Sequence, residues 1–127
     1  MAVDAGWDQQ AGGDLYQAAA LCLAQADPVT KAAMTRHFAA AFREGLLKAP
    51  ADAAPAEPIR MPGRPPQLVL VHPSKLPRRG LGSPAGRAAF IHAIAHIELN
   101  AIDLAWDAVY RFRGLPATFL SDWVSCA

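Results

Sequence analysis

Apolar positions recur every three to four residues along four stretches of this chain, and that spacing predicts helices. Asp14 stands ahead of "LYQAAALCLAQA", an alanine- and leucine-rich run of high helix propensity, as its N-cap. Asp27 caps a second helix, with Pro28 at the first helical position and Gly45 just past the end. Met34, Phe38, Ala41 and Phe42 mark the buried side of that helix. The clearest signal comes later, where Ser83 and Pro84 open a helix whose periodicity runs unbroken to Phe112. Arg111 and Arg113 suit the negative end of its dipole, and Gly114 supplies the stop. Such a helix is roughly 43 Å long and needs long partners to cover its apolar face. Pro116 opens the last helix, "ATFLSDWVSCA", with an apolar stripe of Phe119, Leu120, Trp123, Val124 and Ala127. That stripe is still amphipathic at the final residue, so the expectation is the N-terminal part of a larger bundle.

The long helix carries one position that breaks its pattern. In "HAIAHIELNAIDLAWD", Glu98 has Ile91, Ile94, Ala95, Ala101, Ile102 and Ala105 as helical neighbours, all apolar. His92, His96, Asn100, Asp103 and Asp107 gather on a different, polar stripe. A carboxylate alone in an apolar face costs several kcal/mol unless it is paired, protonated or bound to metal. Glu98 is therefore the leading candidate for metal or catalytic use. The bland alternative is a structural pairing with Arg78 or Arg79, or a glutamate that faces water.

Between the helical parts the pattern is lost. Of the eleven prolines in the chain, nine fall between Pro50 and Pro84. Proline this dense forbids helix and favours extended chain. Within it "QLVLV" has strand composition but no partner strand. The organisation expected is thus a helical pair over 1–48, an extended strap or linker over 49–82 whose first third is free to move, and the start of a helical bundle over 83–127.

Composition narrows the class. The chain has 127 residues, 53% hydrophobic and 18% charged, which suits one small core and excludes wholesale disorder. A net charge of +1 gives no field for nucleic acid or a membrane surface. No uninterrupted apolar run reaches the roughly 18 residues of a membrane span, and the acidic start has no signal-peptide pattern. Cys22 and Cys126 make neither a disulfide framework nor a zinc site. A soluble, cytoplasmic protein is the expectation.

Other candidate chemistry is weaker. His92 and His96 have the i, i+4 spacing that can share a metal ion, but Ala93 stands where a zinc protease needs glutamate. The alternative is a pair of half-buried histidines bonded to Asn100, Asp103 or the strap. "GLGSPAG" misses the dinucleotide fingerprint by one residue and lacks a preceding strand; its glycines instead let the chain turn into the long helix. Arg78, Arg79 and Arg87 beside that turn suit either an anion or pairing with acidic helix residues. Cys126 reads as a core residue of the rest of the bundle.

From Leu76 to Val124 the chain, with its "HAIAHIE" and "DAVYRFRGLP" elements, resembles a bacterial ferritin-like-domain family of largely uncharacterised proteins. The resemblance implies an all-α fold, here an incomplete ferritin-like four-helix bundle with the N-terminal helical pair and strap as an extension. It also implies a carboxylate-bridged di-iron or di-manganese site, built from lone glutamates on two helices and Glu-x-x-His pairs on the other two. Glu98 matches the lone ligand of the first core helix. The Glu-x-x-His pair expected after Val124 is replaced by "SCA", so no metal is expected to stay bound to this chain itself. The function implied is a fragment of a di-metal oxidase or hydroxylase, inactive alone, whose partner is the remaining helices. The alternative is a non-enzymatic helical module that buries its apolar faces against a partner or a second copy.

Overall fold

The structure, a computed structural model, describes residues 5–69, 71–76, 78 and 80–127. Among these it is all-α. Five helices follow in order: α1 (Ala5–Ala11), α2 (Leu15–Ala24), α3 (Pro28–Arg43), α4 (Pro84–Arg111) and α5 (Ala117–Cys126). A single 3-10 turn at Pro73–Lys75 is the one regular element described between α3 and α4.

The caps explain the helix starts. Asp14 accepts hydrogen bonds from the Tyr16 and Gln17 N–H groups, Asp27 from Thr30 N–H, and Ser83 from Gly86 N–H. Pro28 and Pro84 then sit where a missing N–H costs nothing. At the end of α3, Gly45 N–H donates to the Phe42 carbonyl and Leu46 N–H to Ala41, with Gly45 at φ 77°. This is the paired-bond stop that calls for a left-handed residue. Pro116 is the residue before α5 rather than its first turn.

Helix α2 is the centre of the packing. It lies against α4 most extensively, and α1 and α3 also pack on it, while α5 packs on α4. Leu15, Ala18, Ala19, Cys22 and Leu23 of α2 are buried with Met34 and Phe38 of α3, Trp106, Val109 and Tyr110 of α4, and Leu120 and Val124 of α5. The alanines on α2 allow close approach of its neighbours, and Trp106, fully buried, fills the space between helices. An isolated parallel bridge between Asp14 and Lys48 ties the exit of α3 to the start of α2. Helix α1 had no counterpart in the sequence reading. It is held by Trp7 packing edge-on to His37 and by an Asp8–His37 contact of 2.7 Å.

Only the last third of α4 belongs to this core. Asp103, Ala105, Trp106, Ala108, Val109 and Tyr110 are buried, whereas Phe90, Ile91, Ile94 and Ile97 are exposed. By length and composition alone α4 would qualify as a membrane-crossing helix, although His92, His96 and Glu98 interrupt its apolar run.

The proline-rich segment does lie across the helices, and its first third is fastened as well. The Ala54 carbonyl accepts from Arg113 (3.2 Å), the Glu57 carbonyl from the Tyr110 hydroxyl (2.7 Å), and Ala53, Ala56 and Ile59 pack on the core. A free linker was expected there. Extended chain holds on because carbonyls that cannot bond within a helix bond to side chains of α4 and its exit loop instead. No described residue of "QLVLV" is in a strand, and Leu70 lies outside the described residues, as does Arg79.

Gly63 seats the strap on α2. Its N–H donates to the Leu23 carbonyl at 2.6 Å, and a Cβ at this position would collide with the Ala24 carbonyl. Backbone cannot give way as a flexible side chain can. Gly63→Ala should therefore lower unfolding free energy by about 1–3 kcal/mol in denaturant titration. An unchanged value would mean that the strap does not bear on α2 this closely.

Candidate functional site

A lysine and an aspartate occupy the apolar stripes of their own helices. Lys31 is one turn before Met34 and Thr35 and two turns before Phe38; Asp103 is one turn before Trp106 and two before Tyr110. Both face the core. The Lys31 side chain is completely buried and that of Asp103 is 7% exposed. Lys31 Nζ donates to Asp103 Oδ1 and, at 2.9 Å, to the Gly63 carbonyl of the strap. Beside them Trp106 Nε1 donates to Thr35 Oγ1 at 2.9 Å.

Burial pushes the Asp103 carboxyl above its ordinary range, opposed by the hydrogen bond and charge of Lys31 and by the Arg64 guanidinium. Nearby Cys22 is pushed up to about 12, again first by burial, with the Thr35 hydrogen bond pulling the other way. A thiol held that far above neutrality is not a nucleophile.

Asp103 also lines an open groove of about 670 Å³ between α4, the end of α2 and the strap. Leu23, Ile59, Ile97 and Leu104 form much of its apolar surface, and Arg60, Arg64, Asp107 and Arg111 supply polar edges. Arg111 is already engaged, donating two hydrogen bonds to Asp107 at 3.0 and 3.2 Å. Two buried atoms here have no partner among the described residues: Asp103 Oδ2, an acceptor, and Arg64 Nε, a donor.

The residues singled out in the sequence are placed elsewhere. Glu98 is exposed, with Ile91, Ile94 and Ile97 exposed on the same helix, and it lines neither this groove nor the next. It is thus not a buried carboxylate in this chain. The buried one is Asp103, which the stripe analysis had put on the polar face. His92 and His96 meet edge to face, ring centres 4.5 Å apart, in a shallow groove closed by Pro28, Pro65 and Leu68. Neither bonds to Asn100 or Asp103 among the described residues. Arg87 donates to the Leu81 carbonyl at 3.1 Å and so braces the turn into α4, where Gly86 leaves no room for a Cβ beside the Gly80 carbonyl. Arg113 lies over the rings of Tyr16 and Tyr110, 4.4 and 5.0 Å from their centres. Cys126 is exposed.

Among the described residues no group of three or more His, Cys, Asp or Glu side chains gathers where a metal ion could sit. A di-metal centre does not fit this chain's own donors.

The chain is thus a helical protein with a strap, a buried ion pair and an open groove. Residues 24–127 match the DUF455 family, described as proteins of unknown function, and the chain belongs to that family. A Haemophilus influenzae protein, described as uncharacterized, is 41% identical over an alignment of 70 residues that covers 50% of this chain and 24% of the relative. The chain therefore spans about a quarter of that relative's length. No solved structure matches.

The two cysteines make a direct check of this core. Iodoacetamide on the folded chain should modify Cys126 and leave Cys22 unreacted until denaturant is added, even at mildly alkaline pH. Comparable labelling of both, read by mass spectrometry, would mean that α2 is not buried as described.

Proposed function

We propose that this chain is the N-terminal part of a longer ferritin-like di-metal carboxylate protein, an O₂-dependent oxidase or hydroxylase, and is inactive by itself. Its contribution to the metal site is one ligand, Glu98. The observation that carries the reading is the setting of that glutamate, exposed in an α4 face whose Ile91, Ile94 and Ile97 are also exposed. Such a face is suited to further helices, and a carboxylate within it would then need a cation. The small share of the relative that the chain spans agrees with further helices elsewhere in the protein. The remaining donors would come from those helices.

A second reading rests on the same exposed residues. A contiguous apolar face on a soluble protein marks an interaction surface, so the chain would be a non-enzymatic module that binds a partner or a second copy. A discrete, metal-free dimer in size-exclusion chromatography favours this reading.

Anaerobic ferrous titration separates the two. The 127-residue chain should retain no tightly bound iron, whereas a form of the relative's length should retain a di-metal complement and lose it with Glu98→Ala. In the short chain, Glu98→Leu should leave unfolding free energy within about 0.5 kcal/mol of the parent or raise it. Two tight ions on the short chain, or no metal in the longer form, contradicts the metal reading. A loss above about 2 kcal/mol on Glu98→Leu would make Glu98 a structural partner instead.

A further inference from the structure

The groove beside Asp103 is independent of the metal reading and has features of a binding site in its own right. Its volume, about 670 Å³, falls within the range of small-molecule pockets, and most of its surface is apolar with a few polar groups at set places. Folded proteins rarely leave buried polar atoms without partners, yet among the described residues a donor and an acceptor are both left so here. Asp103 is more than nine-tenths buried, one oxygen held by Lys31 and the other unused. Arg64 Nε is likewise buried and has no acceptor among the described residues.

The charges also leave a remainder. Asp103 is neutralised by Lys31, and Asp107 by Arg111. Arg64 also bears on Asp103, but four cations, Lys31, Arg60, Arg64 and Arg111, stand against two carboxylates, so the groove keeps an excess of positive charge. A guanidinium with free N–H groups is suited to carboxylate or phosphate.

We propose that this groove binds a small organic anion with an apolar body and a hydroxyl group next to its acidic end. The acid takes the outer N–H groups of Arg64 with Arg60 at the rim, and the body lies against Leu23, Ile59 and Leu104. The hydroxyl donates to Asp103 Oδ2 after a small turn of that carboxylate, whose free oxygen is otherwise buried. The strap is then part of the site, since Arg60 and Arg64 flank Gly63, the residue bound to both Lys31 and α2. Buried pairing at Gly63 holds the two arginines at the groove.

The probes are α-hydroxyoctanoate, octanoate and octanol, titrated calorimetrically into the whole chain. The hydroxy acid should bind one to one and saturably, about tenfold more tightly than octanol, with octanoate between them. Arg64→Gln should weaken the hydroxy acid about tenfold, and Arg60→Gln, at an exposed position and checked for unchanged circular dichroism, about threefold. Equal affinity for acid and alcohol would make the groove merely apolar and overturn the proposal. So would unchanged affinity in the two variants. No saturable binding up to about 10 mM hydroxy acid would mean that water serves the two unpaired atoms, which also overturns it.

Discussion

A buried ammonium group must find a counter-charge, and in this chain that requirement joins three parts of the structure at one point. Lys31 reaches from α3 to Asp103 on α4 and to the Gly63 carbonyl of the strap. An unpaired charge at this depth would cost several kcal/mol, so α3, α4 and the strap are fixed in register by the same contact. Apolar packing supplies the larger driving force but is tolerant of small shifts. The ion pair is not. Gly63 belongs to the same arrangement, because only a residue without Cβ lets the strap come near enough to α2 for its carbonyl to meet Lys31.

From that junction α4 divides into a covered and an uncovered half. Beyond Ile102 it is a core helix, with Trp106 and Val109 fully buried. Before it, Phe90, Ile91, Ile94 and Ile97 are exposed in the company of Glu98. The groove lies along the boundary, where covered helix passes into uncovered helix and the strap carries its arginines past. One helix therefore carries both a largely apolar groove with Asp103 in its wall and an exposed carboxylate among exposed isoleucines.

Local rules account for what was legible in the sequence. Asp14, Asp27 and Ser83 each sat ahead of apolar periodicity and each caps a helix, because capping is decided within a few residues. Met34, Phe38, Leu120 and Val124 were equally plain as members of apolar stripes. Helix α1 was not, since its seven residues carry little periodicity and are held by Trp7 and Asp8 against distant His37. The fastening of the strap's first third was missed for a related reason: its bonds to Tyr110 and Arg113 span more than fifty residues, and no local pattern announces them. At the candidate site the buried carboxylate, Asp103, was not the one singled out for its apolar neighbours. Glu98 has apolar helical neighbours and is nevertheless exposed, because burial depends on what covers a face. Asp103 looked solvated among polar neighbours, although Trp106 and Tyr110 share its stripe, and a lysine on the apolar stripe of α3 was the matching clue.

The role of the Lys31–Asp103 pair as the shared anchor is tested most directly by a double-mutant cycle on unfolding free energy, with Lys31→Met, Asp103→Leu and the combination. Each single change should cost about 3–5 kcal/mol, because it leaves the other charge buried alone. The double variant should cost well under the sum, with a coupling of about 1.5 kcal/mol or more, since two apolar groups then fill the space that two charges left. Additive losses would contradict the account, for they would mean that the two side chains contribute separately and that the strap and helices are held in register by packing alone.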